Sequence, residues 1–259
     1  MVRITLDLRK SVEENAQHYF EAAKKARRKA KGAEQAVATW KAKLAATPVA
    51  EKTAKIPKAV RKREWYEKFR WCISSDGFLM VGGRDASTNE LLVKRHAQPR
   101  DVVFHTDMAG SPFIIVKTEG KEVPYSTLEE AAQFCASYGK GWKNGLSSLE
   151  VFHVAPEQVT KEANPGEFLP KGAFMIRGKT LYLKPLLKVA VGVDKDGRVM
   201  AGPLAAVKAW CPAAYEILQG NEKTSAVAKA LQKLLGGDLD ELLAALPAGG
   251  CQLGPKVNL

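Results

Sequence analysis

Phe69-Arg70-Trp71-Cys72-Ile73-Ser74-Ser75-Asp76-Gly77-Phe78-Leu79-Met80-Val81 is the stretch from which the fold can be read. Two runs rich in aromatic and aliphatic residues flank Asp76-Gly77, a pair suited to a tight turn, so the spacing predicts strands over 69–74 and 78–81. Toward the C-terminus, short runs of the same texture at 91–94, 102–104 and 113–117 continue the strand series. A helix then intervenes. Thr127 and Glu130 stand at capping-box spacing, and Leu128, Ala131, Ala132, Cys135, Tyr138 and Trp142 form an apolar stripe ending near Gly145. Further strands are expected at 150–154, 173–177, 180–183 and 188–193, and helices at 222–235 and 239–246, closed by Pro247 and Gly249-Gly250. Strands grouped around few helices imply an α+β fold with a mixed or antiparallel sheet, not a doubly wound one.

Upstream of this body the texture is different. Ser11 with Glu14 makes a capping box, and small or apolar residues follow at Val12, Ala16, Tyr19, Ala23, Ala26, Ala30, Ala33, Val37, Trp40 and Leu44. The gaps alternate four and three, the 3.5-residue period of a coiled coil. Residues 11–46 would span roughly 54 Å as one helix. The alanine-rich seam removes little apolar area on pairing, so the arm needs a partner. The returning segment 49–71 is interrupted by Pro57, which leaves pairing with a second copy as the alternative. The expected organisation is a basic coiled-coil arm over 1–64, an α+β domain over 65–200 and a helical extension over 201–259 packed on that domain.

The charge follows the same division. The 259 residues carry a net +12, and residues 1–70 hold 19 Lys and Arg against 8 Asp and Glu, leaving 21 against 20 for residues 71–259. A neutral body with a basic arm is the asymmetry expected of a protein whose arm approaches polyanions, because each phosphate neutralised releases counterions. A solvated helix face is the other reading of the same residues. With 46% hydrophobic residues the chain is globular and not disordered throughout. It has no apolar run near the ~20 residues of a membrane span and no signal-peptide core at its start, so a cytoplasmic location is expected. Cys72, Cys135, Cys211 and Cys251 are widely spaced with no C-x-x-C pair, which argues for core residues and against a zinc site or a disulfide framework.

Several smaller constellations have chemical potential. His105 and Asp107 are spaced to share one face of a strand, as half a metal site or an acid–base pair, or as a structural hydrogen bond. Gly82-Gly83-Arg84-Asp85 is too short for a phosphate-cradling loop and lacks its lysine. Trp142 between Lys140 and Lys143, and Arg177-Gly178-Lys179, read either as base-stacking and phosphate-contacting surfaces or as a core tryptophan with solvated cations.

Together these blocks resemble a known family. The run Lys62-Arg63-Glu64-Trp65-Tyr66-Glu67-Lys68-Phe69-Arg70-Trp71-Cys72-Ile73-Ser74-Ser75-Asp76-Gly77-Phe78-Leu79, then Gly82-Gly83-Arg84-Asp85-Ala86 and Asn89-Glu90, is similar to the opening of the NFACT-R domain. The resemblance continues through Asp101-Val102-Val103-Phe104-His105-Thr106-Asp107, Gly110-Ser111-Pro112, Pro156-Glu157-Gln158-Val159, and Gly166-Glu167-Phe168-Leu169-Pro170-Lys171-Gly172-Ala173-Phe174-Met175-Ile176-Arg177-Gly178-Lys179. The arm is similar to the coiled coil that precedes this domain. The resemblance implies an RNA-binding domain acting at the large ribosomal subunit in ribosome quality control. The family's NFACT-N and helix-hairpin-helix parts have no counterpart here, so a standalone form or a fragment of a longer chain is expected, and tailing activity is not carried over. Position 109 is Ala where many relatives have a second His, which weakens a catalytic reading of the block at His105.

The expectation is therefore an RNA-binding protein and not an enzyme, with no cofactor or metal. Its partner would be RNA, ribosomal RNA foremost and tRNA second, with a coiled-coil protein partner or homodimer and no membrane. Lys24, Lys25, Arg27, Arg28, Lys29, Lys31, Arg61, Lys62 and Arg63 would contact phosphates from the arm, and Arg84, Lys94, Arg95, Lys143, Arg177 and Lys179 would contact RNA on the body. Asp85, His105, Asp107 and Trp142 are structural or candidate site residues. The alternatives are a metal-dependent nuclease or hydrolase using His105 and Asp107, and a protein-interaction adaptor built on the coiled coil.

Overall fold

The computed structural model describes residues 5–46, 63–163 and 169–257, and the chain divides into two units, 1–62 and 63–259. In the first unit, α1 (Val12–Ala46) is one uninterrupted helix of 35 residues. Its start is built as the sequence predicts. The Glu14 amide donates to Ser11 Oγ at 3.2 Å, and the Ser11 amide donates to Glu14 Oε2 at 2.8 Å. Asn15, buried in this first turn, accepts from the Asp7 amide at 2.9 Å and so ties the preceding residues to the helix. The seam residues Val12, Tyr19, Val37 and Trp40 are exposed. The part of the returning segment before residue 63, with Pro57, Arg61 and Lys62, lies outside the described residues.

The second unit is α+β, and every strand pairing among the described residues is antiparallel. Its first sheet contains β1 (Arg70–Ile73), β2 (Leu79–Gly82), β3 (Val102–His105), β4 (Ile114–Lys117), β5 (Val151–Val154) and β8 (Leu181–Leu183), in the order β1-β2-β4-β3-β5-β8. Successive residues of a strand face opposite ways, and here both faces are buried. Met80, Phe104, Ile114 and Val116 face a core shared with α3 (Tyr125–Ser137). Val81, Val103 and Ile115 face a smaller core with Phe69 and with Leu92 of α2 (Ala86–His96). A two-stranded ribbon, β6 (Val159–Thr160) with β7 (Met175–Ile176), lies between β5 and β8 in the chain, and the short α4 (Lys140–Lys143) follows α3.

Three local expectations are corrected. The 91–94 run is helical and belongs to α2, because Asp85 caps that helix: its Oδ1 accepts from the amides of Ser87 and Thr88, both at 2.9 Å. A three-residue apolar run does not distinguish strand from helix, and the cap decides it. Thr127 and Glu130 do not cap α3, which starts after Pro124; Thr127 Oγ1 donates to Asp76 at 2.7 Å, and Glu130 accepts from the Ser75 amide at 2.9 Å. These side chains instead pin the β1–β2 turn. The region from 201 onward is not wholly helical. A second sheet runs across residue 200, from β10 (Val199–Gly202) and β9 (Val189–Val193) to β11 (Ala213–Glu222) and β12 (Cys251–Lys256), beside α5 (Leu204–Trp210), α6 (Thr224–Leu235) and α7 (Leu239–Ala245). Edge strand β12 tolerates Pro255, which has no ladder donor. All four cysteines are free and buried. No helix among the described residues is long and apolar enough to cross a membrane.

Candidate nucleic-acid interface

On α1 the cations form a row. At about 100° per residue, Lys24, Arg28 and Lys31 fall within roughly 60° of one another, with Arg27 beside them. The seam residues Ala23, Ala26, Ala30 and Ala33 centre on the opposite side of the same helix. Lys25 and Lys29 lie between. All six cations are exposed, and none forms an ion pair among the described residues. A helix surface with cations on one side and small residues on the other can meet phosphates and a partner helix at once.

In the second unit, three loops of the quoted blocks enclose a cleft of about 490 Å³. One follows β2 (Gly83 to Ala86), one joins β3 to β4 (Thr106 to Phe113), and one precedes β7 (Lys171 to Phe174). Each is held by an identifiable device. Gly83 leaves room for Asn89, whose Oδ1 accepts from the Phe113 amide at 3.1 Å; a Cβ at 83 would lie 1.9 Å from that oxygen. Gly172 has φ +81°, and its amide donates to Glu90 on α2 at 3.2 Å. Glu90 also accepts from Lys94 at 2.7 Å and pairs with Lys161 at 3.4 Å. The Lys94 contact, then the Gly172 amide, lowers its carboxyl pKa to about 2. His105 Nε2 lies 3.1 Å from the Ser111 carbonyl, so it carries the proton there, and the ring stacks on Phe113 with centroids 4.1 Å apart. Burial lowers its pKa, against the opposing pull of the Ser111 contact.

Two arginines meet this cleft. Arg70, half-buried on β1, donates from Nη1 to the Ala244 carbonyl at 3.0 Å and lies over the Tyr138 ring at 4.6 Å. Arg84 donates from Nη2 to the Phe69 carbonyl at 3.0 Å. Burial lowers the pKa of each. Neither guanidinium has a carboxylate partner among the described residues. Asp85, at the cleft wall, is engaged in capping α2, and the Thr88 amide lowers its pKa most.

The sequence-predicted residues thus separate. Arg84, Asp85, His105 and Asp107 converge on the cleft; Lys94, Arg95, Lys143, Arg177 and Lys179 do not line it. Lys94 is paired with Glu90 and Arg63 with Glu241, the latter at 3.3 Å. Trp142 is 2% exposed, and its Nε1 donates to the Gly250 carbonyl at 3.1 Å, so it is a core residue and not a stacking platform. Asp107 lies 3.5 Å from the Tyr182 hydroxyl, while the hydrogen bond of His105 goes to Ser111. No group of three or more His, Cys, Asp or Glu suited to a metal occurs among the described residues. Arg70 and Lys171 were not singled out from the sequence. Both sit within the family-like runs 62–79 and 166–179, the one signal the sequence offers for them.

Comparison with known proteins accounts for the convergence of these blocks. The family model described as the NFACT protein RNA binding domain matches residues 68–178, the span holding all three loops. This chain carries an NFACT RNA binding domain. Among curated proteins, the NFACT relatives include the archaeal Rqc2 homolog aRqcH of Methanocaldococcus jannaschii, 39% identical over 207 residues, which are 77% of this chain and 31% of that protein. The ribosome quality control complex subunit NEMF homolog of Drosophila melanogaster is 36% identical over 74% of this chain and 20% of its own length. The human NEMF subunit is 37% identical over 66% of this chain and 16% of its own. The chain therefore spans about a third or less of these relatives. Among solved structures, the C-terminal part of the fibronectin/fibrinogen-binding protein from Streptococcus suis aligns with a TM-score of 0.39 and 17% identity, over 68% of this chain and 77% of that one.

Proposed function

We propose that this protein binds RNA of the large ribosomal subunit and acts in ribosome quality control in the cytoplasm. The observation that carries the reading is the row Lys24, Arg28 and Lys31, exposed and free of ion pairs among the described residues, on a chain that also carries an NFACT RNA binding domain. A cation row supplies affinity without sequence preference, and the body supplies a shaped surface; structured RNA is recognised through both. The names of the relatives, subunits of ribosome quality control complexes, support the ribosome as the source of that RNA.

The exposed seam favours a second partner. Val12 is 79% exposed and Val37 53%, and a seam of that period is satisfied by another helix, from a separate protein or from a second copy. The test is copurification with ribosomal particles followed by crosslink mapping of the bound RNA. Recovery with the large subunit and crosslinks from α1 support the proposal, whereas binding that persists unchanged at ~0.5 M salt favours the adaptor reading, because phosphate contacts fail there. Divalent-dependent loss of the RNA, abolished by Asp107→Asn, would favour the hydrolase reading.

A further inference from the structure

Arg70 and Arg84 leave most of their donors unused. A guanidinium has five N–H groups, and each of these makes one hydrogen bond, to a main-chain carbonyl, among the described residues. Arg70 is half-buried and Arg84 exposed, so the remaining donors are open to a ligand that displaces water. Asp85, next to Arg84 in the chain, is occupied by the Ser87 and Thr88 amides. An oxyanion suits these free donors, because planar guanidinium forks match a phosphate.

The rest of the cleft limits what that phosphate is attached to. Beyond the arginines and Lys171, the lining includes aromatic rings: His105 stacked on the buried Phe113, and Phe174 edge-on to Phe113 at 5.2 Å with Lys161 Nζ over its ring at 4.5 Å. A volume of about 490 Å³ is in the range of roughly 300–1,000 Å³ that accepts small molecules. It suits one nucleotide unit and not a double helix. We propose that the cleft holds a single nucleotide turned out of an unpaired stretch of RNA, its phosphate on Arg84 and Arg70 and its base against His105 and Phe174, the two partly exposed rings backed by the buried Phe113. This rests on the RNA-binding reading above and adds a preference to it: the body selects unpaired nucleotides, while α1 contributes phosphate affinity alone. Asp107, at the same wall, disfavours a second phosphate and so limits occupancy to one unit.

The test uses the full chain and three labelled RNAs of equal length: a single strand, the same strand with abasic sugars, and a perfect duplex. Fluorescence anisotropy at fixed salt gives the affinities. The single strand is expected to bind roughly fivefold to a hundredfold more tightly than the abasic strand, the range of one base stacked on an aromatic wall. Arg84→Gln should weaken single-strand binding by about tenfold, and Arg84→Lys, which keeps the charge but not the fork, should recover only part of it. Phe174→Leu should narrow the ratio between base-bearing and abasic strands. Circular dichroism melting establishes that each variant is folded. If the wild type binds all three RNAs equally, or if both position-84 variants bind as the wild type does, this inference fails while the RNA-binding reading stands. If the wild type binds none of them in dilute salt, both fail.

Discussion

Replacing Lys24, Arg28 and Lys31 together by Gln isolates the contribution of the α1 row. The three lie at i, i+4 and i+7, so they span seven residues, or about 10 Å of helix. Gln is close to Lys and Arg in helix propensity, and the three side chains make no ion pair among the described residues, so the helix should persist. Each phosphate contact contributes roughly 0.7–0.9 to the slope of log K against log salt. Three lost contacts should therefore flatten the slope by about 2 to 3. The assay is anisotropy of a labelled rRNA fragment titrated at several KCl concentrations between about 50 and 200 mM, where a change of this size is easily resolved. Helicity at 222 nm serves as the control. A triple variant with the wild-type slope would refute phosphate contact by this row, whatever its affinity at any one salt concentration. The Lys25→Gln, Lys29→Gln double variant sits off the row and should change the slope less.

Other consequences concern the body. Lys117 is bonded to Asp101 and to the His96 carbonyl, with the two charged side chains only 11% and 1% exposed; Lys117→Met leaves an acid inside and should cost about 3 kcal/mol, read as a lower urea midpoint at constant m. A loss below 1 kcal/mol would contradict that pairing. Glu90 has its folded pKa depressed to about 2 from 4.5, so its contribution is fully present above pH 4.5 and is lost as the pH falls toward 2. Protection of the Gly172 amide, its exchange taken relative to the unprotected rate at each pH, should fall over that window in the wild type and be reduced at the higher pH values in Glu90→Gln. Trp142→Phe removes the bond to Gly250 and should destabilise by about 1–3 kcal/mol, yet leave RNA affinity at its wild-type value in folded protein.

What could be read from the sequence was mostly local. The Ser11–Glu14 box and the Asp76-Gly77 turn act within a few residues, and both are found where expected. The continuous apolar runs of β2, β3 and β4 are equally visible, because both faces of these strands are buried. Failures came where distant partners decide. Thr127 and Glu130 have the spacing of a cap but bond to a turn some fifty residues away. Leu91-Leu92-Val93 resembles a strand until Asp85 and Thr88 are seen to open a helix. β11 has no local strand signal: it closes on Gly220, Asn221 and Glu222, and its pairing comes from β9 and β12 on either side. At the site, Arg84, Asp85, His105 and Asp107 stood out as motif residues. Arg70 did not, since an arginine within a strand gives no local sign that its counter-charge is absent.

The opposed faces of α1 have a thermodynamic corollary. Changes on the alanine side and changes on the cationic side share no contacts, so their free energies should be additive: a substitution at Ala26 or Ala30 should alter self-association mass, one at Arg28 should alter salt sensitivity, and the double variant should show the sum. Should a seam pair two copies in parallel, the two rows would face outward, away from each other. Such a dimer would then engage separate stretches of backbone, and linkage between its halves, with no new contact made, would raise the avidity of each.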